Sequence, residues 1–315
     1  MSRKTFLRFA APAAAVLAAT ALAGCGSTSS SGGSPLAGSA ATGSVVVGSD
    51  NFAESILLAD VYGQALAAKG VKVSYKLDIG SREVTYGLVK SGAITLKPEY
   101  NGALLSYLDS SAAQTSTSEV DSAITAHLAS GLEILTPSTA QDNDTLTLSK
   151  QEAATYGLSK GATISDFITK LDGKPIVIGG SPEFQTRTEG LVGLEQDYGL
   201  KASQITYKSL DAGGPLTEKA LTSGDVQAGD LFTTDPTISQ GGLLTLVDNK
   251  NIFGVQDVLP LTNKSLSATG VAALNAVDAQ LTSDVLLQLD TEVQVQKEDP
   301  LTVANAWLKS VGLSS

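Results

Sequence analysis

The residues best suited to chemistry in this chain lie in four short segments, each of which follows a predicted strand. These segments are 48–52, 97–102, 180–187 and 232–235. Each brings free backbone N–H groups and short polar side chains to the start of a helix, where an anion binds readily. Arg187 adds a bidentate clamp for a carboxylate, and Tyr100 and Phe232 offer aromatic faces to a cation. A tyrosine at such a junction is more often a core or capping residue, but the four segments together favour binding of a small charged ligand.

Histidine and cysteine are too scarce for the common catalytic and zinc sites. The chain has one histidine, His127, and one cysteine, Cys25. His127 lies beside a helical apolar stripe, so a surface or capping role is expected. The chain therefore lacks the second histidine or cysteine that nucleophilic dyads, multi-cysteine zinc sites and intramolecular disulfides would need. A paired-carboxylate hydrolase stays open because acids are abundant, but no pair stands out. We expect no catalytic residues, no metal site and no cofactor.

Strand and helix patterns alternate along the chain, and these elements must position the four segments. A buried strand at 45–48 precedes helical spacing over 52–68, and a third strand is predicted at 94–96. A second series of the same kind begins after Asp142, with a helix capped by Ser165. Alternating strands and helices predict largely parallel sheets with helices on their faces.

We interpret this α/β pattern as two lobes, with the middle of the chain inserted into the first lobe. Lobe 1 would comprise 44–141 plus 248–315, and lobe 2 would comprise 142–247. The two chain crossings would form a hinge, and a small ligand would bind in the cleft between the lobes. One continuous doubly wound domain with a helical tail is the alternative, and periodicity does not separate the two.

The first 24 residues have the anatomy of a signal peptide, with a basic start, an apolar stretch over 9–22 and small residues before Cys25. The apolar stretch is short for a transmembrane helix, which needs roughly 20 apolar residues. A small-residue cleavage site followed at once by cysteine resembles a bacterial lipobox. We therefore expect residues 1–24 to be removed and lipidated Cys25 to hold the protein outside the cell membrane. An ordinary secreted protein is the alternative.

Composition constrains the partners of the mature protein. Residues 26–43 are almost all Gly, Ser, Ala and Thr, so 25–43 should serve as a lipidated, flexible linker. The net charge is −11, and it becomes −14 without the leader's three basic residues (−11 − 3). Such an acidic chain is a poor match for nucleic acid, because phosphate neutralisation by Lys and Arg drives that affinity. We expect a small-molecule solute and no nucleic acid.

The ordered motifs of the chain resemble one known family. They are GSDNFAE, LKPEYNGALL, SPEFQTRTEGLVGL, ALTSGDVQAG and FTTD. In this order they resemble the glycine betaine/choline (osmoprotectant) substrate-binding proteins of ABC transporters, over about residues 45–313. The resemblance implies a periplasmic-binding-protein fold of type II, whose two lobes close on a small solute. It also implies delivery to a separately encoded permease and ATPase by a protein that is monomeric and not an enzyme.

The resemblance also implies a set of ligand-binding residues. In the family, a box of tyrosines surrounds a quaternary ammonium group, and basic and hydroxyl side chains hold a carboxylate where there is one. Tyr100 matches one box tyrosine, Arg187 matches the carboxylate-binding arginine, and Phe232 keeps a box ring without its hydroxyl. The full predicted set is Asp50, Tyr100, Asp142, Asp144, Arg187, Phe232, Thr233 and Gln256.

Four positions depart from the family pattern. Asp144 and Gln256 fall where box tyrosines are expected, Asp50 replaces a lysine, and Ala103 replaces the carboxylate-binding threonine. Each lost cation–π face removes roughly 0.5–2 kcal/mol of affinity. Asp and Gln also favour ligands with hydrogen-bond donors, which a quaternary amine lacks, and Asp50 would repel a ligand carboxylate. We hypothesise a small cationic or polar, donor-rich solute, with glycine betaine bound weakly or not at all.

Other interpretations stay open. If the local alignment is off by one or two residues, Tyr107 or Tyr86 would restore the aromatic box. A sensor or presenting lipoprotein could use the same fold to report a solute to a membrane partner. An extracellular enzyme on this fold is a third hypothesis, which detectable turnover of a bound solute would support.

Overall fold

A computed structural model of the protein describes residues 44–112 and 116–314. The predicted signal peptide, Cys25 and the predicted linker lie outside these described residues. In chain order the strands are β1 (Ser44–Gly48), β2 (Lys72–Lys76), β3 (Leu96–Tyr100), β4 (Leu132–Ile134), β5 (Asp144–Ser149), β6 (Ile176–Gly180), β7 (Ile205–Ser209), β8 (Ala228–Phe232), β9 (Leu243–Thr245) and β10 (Val258–Asn263).

The helices alternate with these strands and then close the chain. They are α1 (Ala53–Ala68), α2 (Arg82–Ser91), α3 (Asn101–Leu108), α4 (Thr117–His127), α5 (Lys150–Thr155), α6 (Ile164–Leu171), α7 (Leu191–Gln196), α8 (Pro215–Ser223), α9 (Pro236–Ser239), α10 (Ala268–Asp278), α11 (Ser283–Asp290) and α12 (Pro300–Ser310). Short 3₁₀ turns cover Glu183–Gln185 and Ala202–Gln204, and a π-helical turn covers Thr291–Val295. Within the described residues, no helix has the length and apolar character needed to cross a membrane.

The strands form two five-stranded sheets in the described part of the chain. The first has the order β2-β1-β3-β10-β4, and the second has the order β7-β6-β8-β5-β9. Each sheet contains one strand antiparallel to its neighbours, β10 or β5, which follows a crossing from the other sheet. The predicted α/β class with two lobes is therefore confirmed. The alternative of one continuous doubly wound domain is wrong, because the sheets are separate.

Two chain crossings, 135–143 and 246–257, connect the sheets. They contact each other directly, since the backbone N–H of Asp142 donates to the carbonyl of Gln256 at 3.1 Å. The predicted lobe boundaries fall within these crossings and stay a prediction, although Phe253 packs into the core of the second lobe, past the boundary expected at residue 247. Paired crossings of this kind form a hinge about which lobes can rotate.

Each lobe has its own hydrophobic core. In lobe 1, α1 lies between the first sheet and the C-terminal helices, and its Leu57 and Leu58 share a core with Leu274 of α10 and Trp307 of α12. In lobe 2, a separate core forms around Phe167 and its neighbours on the second sheet. Because the cores are separate, the cleft between the lobes can open without exposing either one.

Some predicted element boundaries are wrong, for local reasons. Thr163, rather than Ser165, caps α6, because Thr163 and Asp166 form a reciprocal capping box. The helix predicted over 271–289 is broken into α10 and α11. The third strand begins at Leu96 and continues to Tyr100, so residues predicted to follow the strand belong to it. His127 ends α4 at the exposed surface, as expected.

Candidate ligand-binding cleft

A cleft lies between the lobes, at the carboxyl ends of parallel strands from both sheets. The space within the cleft together with the open solvent at its mouth amounts to about 590 Å³. Lobe 1 contributes Asp50, Asn51, Phe52, Ser81, Arg82, Tyr100 and Ala103; lobe 2 contributes Asp144, Ser181, Glu183, Arg187, Ala212 and Phe232; the crossings contribute Asp142 and Gln256.

Three aromatic rings meet in this cleft. Phe52 lies immediately before α1, and its ring centroid is 6.0 Å from that of Tyr100 and 5.5 Å from that of Phe232. Gly213 makes room for this arrangement, since its φ is +59° and a Cβ there would lie 2.2 Å from the Phe232 ring. The cleft is therefore lined by three aromatic rings that come from both lobes.

The tyrosines suggested as replacements for the missing box residues lie elsewhere. Tyr86 and Tyr107 pack on each other with centroids 5.3 Å apart, and the Tyr86 hydroxyl accepts a hydrogen bond from the Ala129 backbone. Neither is among the described residues that line the cleft. The cleft lining therefore gives no support to the suggestion that they restore the box, and Phe52 adds a ring that was not predicted.

Asp50 does not present a free negative charge to the cleft. The Lys97 ammonium donates to both Asp50 oxygens, at 2.7 and 3.0 Å, and to Glu99 at 2.9 Å. Lys97 and Glu99 are two apart on β3, so their side chains share one face of the sheet, and both are fully buried. Thr85 also donates to Asp50, at 2.6 Å. The repulsion of a ligand carboxylate expected from Asp50 is therefore largely offset by Lys97.

The two arginines that line the described cleft are also paired within the protein. Arg82 donates from Nε to Glu99 at 2.9 Å and lies on the opposite side of that carboxylate from Lys97. Arg187, predicted to hold a ligand carboxylate, forms an ion pair with Glu83 of α2 at 3.0 Å. Positive charge at the cleft is thus neutralised by neighbouring carboxylates.

The cleft lining also contains carboxyl groups whose pKa values are raised. Burial raises the pKa of Asp142 well above its usual range, and the nearby Glu54 raises it further. Burial also raises the pKa of Asp144, although the charges of Arg187 and Arg82 and a hydrogen bond with Asp230 partly offset this rise. Glu189, which is near Asp144 but not among the described lining residues, has its pKa raised to about 8 by burial and by repulsion from Asp144. In the described residues, neither Asp142 nor Asp144 is ion-paired with a Lys or Arg. A bound cation would let these groups ionise.

Glu54 connects the aromatic rings to the other lobe. The Tyr100 hydroxyl donates to its Oε1 at 2.5 Å, and Thr234 of lobe 2 donates to its Oε2 at 2.6 Å. Burial raises the pKa of Glu54, and the adjacent Asp290 raises it further. Glu54 therefore fixes the orientation of the Tyr100 ring while it joins the lobes.

Comparison with known proteins decides the family. The family model described as the substrate binding domain of ABC-type glycine betaine transport systems matches residues 43–310. The chain belongs to this family.

Relatives and solved structures agree with that membership. The glycine betaine-binding protein YehZ of Escherichia coli K12 is 30% identical over 281 residues, which cover 85% of this chain and 90% of YehZ. The glycine-betaine-binding protein of Pseudomonas aeruginosa PAO1 is 23% identical over 287 residues, covering 87% and 89%. A crystal structure described as a glycine betaine/carnitine/choline ABC transporter superposes with a TM-score of 0.67 at 16% identity, covering 85% and 99%. The predicted type II periplasmic-binding-protein fold is confirmed.

Two residues predicted to bind ligand in this glycine betaine-binding family member have other partners. Gln256 lines the cleft, but its Oε1 accepts from the Ala103 backbone and its Nε2 donates to the Phe253 carbonyl, both at 2.8 Å. Thr233 is not among the described lining residues. Its hydroxyl instead accepts from the Asn143 backbone at 2.9 Å. Both residues therefore support the shape of the site rather than offer free polar groups.

The cleft of this family member also contains residues that sequence reasoning did not assign to binding. Phe52, Arg82, Ser81, Ser181 and Glu183 all line it. Phe52 and Ser181 lie in the segments picked out as strand-to-helix junctions, so that signal was available. Arg82 and Ser81 begin α2, which follows the second strand, and the same rule would have found them.

Proposed function

We propose that this protein captures a small organic cation of the choline and glycine betaine class between its lobes and delivers it to a separately encoded ABC permease and ATPase. It would act as a monomeric binding protein without catalytic residues. One observation carries the proposal: Phe52, Tyr100 and Phe232 lie beside Asp142 and Asp144, which are not ion-paired in the described chain, while the cleft's arginines are already paired.

The electrostatics of the cleft support a cation over an anion or a neutral solute. Burial is the main cause of the raised pKa values of Asp142 and Asp144, so removal from water holds back their ionisation. A cation beside them would favour the ionised forms, and the aromatic faces would add roughly 0.5–2 kcal/mol each. The relatives described as glycine betaine-binding proteins support a quaternary ammonium group at this position.

The rings and the carboxyls favour somewhat different cations. Three ring faces suit a quaternary ammonium, whereas Asp142 and Asp144 also accept hydrogen bonds from hydroxyl or N–H donors. A cation that carries a donor, such as choline with its hydroxyl, satisfies both. We propose that plain glycine betaine, which has no donor, binds more weakly than such ligands.

The location of the protein forms part of the same proposal. Lipidated Cys25 would anchor it outside the cell membrane, with 26–43 as a flexible linker that lets it reach the permease. The Cys25→Ser variant, expressed in a bacterium that processes lipoproteins, should move from the membrane fraction to the soluble fraction. A variant that stays in the membrane fraction would show that Cys25 is not the anchor.

A thermal-shift screen tests the ligand class, because a solute that binds the native state raises the unfolding temperature. The panel should contain choline, carnitine, glycine betaine and ethanolamine, with neutral polyols and small dicarboxylates as controls. We expect cations to raise the unfolding temperature by several degrees and the controls to leave it unchanged. Stabilisation by polyols or dicarboxylates alone would contradict the proposed function.

A further inference from the structure

Arg187 of lobe 2 and Glu83 of lobe 1 join the lobes across the cleft. The Arg187 Nη2 lies 3.0 and 3.2 Å from the two Glu83 oxygens, and its Nε lies 3.3 Å from one of them. Beside this pair, the hydroxyls of Ser106 and Thr188 form a second hydrogen bond between the lobes, at 3.0 Å. These contacts exist only while the lobes are together.

Glu83 occupies the edge of the guanidinium that is best suited to a carboxylate. Arg187 lines the cleft, yet its Nε and Nη2 are both directed to Glu83. A ligand carboxylate that used this edge would have to displace Glu83 and leave that residue without its partner. Arg82, the other arginine of the described cleft lining, is held by Glu99.

We infer that Glu83 is a specificity-determining residue, a built-in carboxylate that satisfies Arg187 when the lobes close and thereby selects cations that carry no carboxylate of their own. The inference rests on the proposed function, since it concerns which cations the cleft accepts. The ligand class it names is a small ammonium compound with a neutral polar end, such as an amino alcohol. A zwitterion would have to compete with Glu83 for Arg187.

Choline and glycine betaine form a matched pair for the test, because they share the trimethylammonium group and differ in an alcohol against a carboxylate. Calorimetric titration of the wild type should give a Kd for choline about tenfold or more below that for glycine betaine. In Glu83→Ala, Arg187 is released, and the ratio of the two Kd values should fall by about tenfold, the order expected for one charge-assisted pair. In the double variant Glu83→Ala/Arg187→Ala, the ratio of the two Kd values should not show this fall, because the arginine that would bind the carboxylate of glycine betaine is absent.

The control is Glu298→Ala, which removes an exposed carboxylate from lobe 1 outside the cleft and should leave the ratio unchanged. If the ratio of the two Kd values in Glu83→Ala stays within twofold of the wild-type ratio, the inference is overturned. The inference is also overturned if Glu298→Ala changes this ratio by the same amount, because the change would then be a general effect of charge.

A second measurement separates failure of this inference from failure of the proposed function. Spin labels at Lys90→Cys and Lys219→Cys, in a Cys25→Ser background, report the distance between α2 and α8 without ligand. Glu83→Ala should lengthen that distance or broaden its distribution. If neither choline nor glycine betaine binds the wild type, the proposed function fails. In that case an unchanged distance in Glu83→Ala overturns the inference as well. A longer distance supports the part of the inference that says Glu83 holds the lobes closed through Arg187.

Discussion

Phe52 and Phe232 lie against each other from opposite lobes, with ring centroids 5.5 Å apart and ring planes at 41°. Phe52 precedes the first helix of lobe 1, and Phe232 ends a strand of lobe 2. The aromatic part of the cleft is therefore complete only when the lobes are closed. A ligand that uses both rings favours the closed form, which couples its binding to lobe closure.

Replacing Phe52 should weaken binding of a quaternary ammonium without unfolding the protein. Phe52→Leu keeps an apolar side chain but removes one ring face, so the Kd for choline should rise by about 2–30-fold, equivalent to about 0.5–2 kcal/mol. Phe52→Tyr should bind nearly as the wild type does. Isothermal titration calorimetry measures all three.

The matched control for Phe52 is Phe253→Leu, in the core of lobe 2. This change should lower the free energy of unfolding and leave the Kd close to that of the wild type. Equal affinities of Phe52→Leu and the wild type would mean that the ring does not contact the cation.

The ligand-free protein should lose stability as the pH rises from about 4 to about 8. Burial raises the pKa of Asp290 to about 7, that of Asp235 to about 7 and that of Glu189 to about 8. Between the ordinary carboxyl pKa and these values, the folded protein holds protons that the unfolded chain releases. Each such group therefore lowers the free energy of unfolding by at most about 1.4 kcal/mol per pH unit. Urea unfolding at pH 5 and pH 8 measures the difference.

Glu83 has the opposite effect on the free energy of unfolding, but this effect changes with pH only outside the range discussed above. Hydrogen bonding from Ser81 and the charge of Arg187 outweigh partial burial and lower the pKa of Glu83 to about 2, so its contribution is lost only as the pH falls below about 4.5. Saturating choline should reduce the loss of stability at pH 8, because it favours the ionised carboxyls. Ligand-free protein that is more stable at pH 8 than at pH 5 would contradict the assignment of raised pKa values.

Lys97 should be essential for the stability of lobe 1. Lys97→Met would leave Asp50 and Glu99 buried without this cation, and such a loss destabilises proteins by about 3–5 kcal/mol. The matched control is Lys208→Met, whose partner Asp225 lies 3.8 Å away at the exposed surface and should matter by less than about 1 kcal/mol. Urea unfolding compares the two, and equal losses would show that the buried network is not special.

The sequence predicted the fold well because regular patterns set it. Apolar runs such as 45–48, helical spacing over 52–68 and their repetition after Asp142 identify two α/β units without any long-range information. The predicted ends of helices were less accurate. Thr163 and Ser165 are both suitable capping residues, and they differ in whether a partner for a capping box lies three residues further on. Asp166 is that partner for Thr163, so Thr163 is the capping residue of α6.

The site was predicted in part, and the missing part depends on contacts between distant residues. The junction rule located Tyr100, Arg187 and Phe232, because it uses only the ends of strands. It could not show that Arg187 pairs with Glu83, 104 positions away, since that contact exists only after the lobes close. The same holds for Lys97 and Asp50, which are 47 positions apart.

The most direct measurement compares choline with its neutral carbon isostere, 3,3-dimethylbutan-1-ol, by isothermal titration calorimetry at pH 7.5. The two molecules have nearly the same shape and hydroxyl group and differ in the positive charge. If the cleft captures cations through its rings and carboxyls, choline should bind at least about tenfold more tightly than the alcohol. Equal or tighter binding of the neutral alcohol would contradict a cation-binding site.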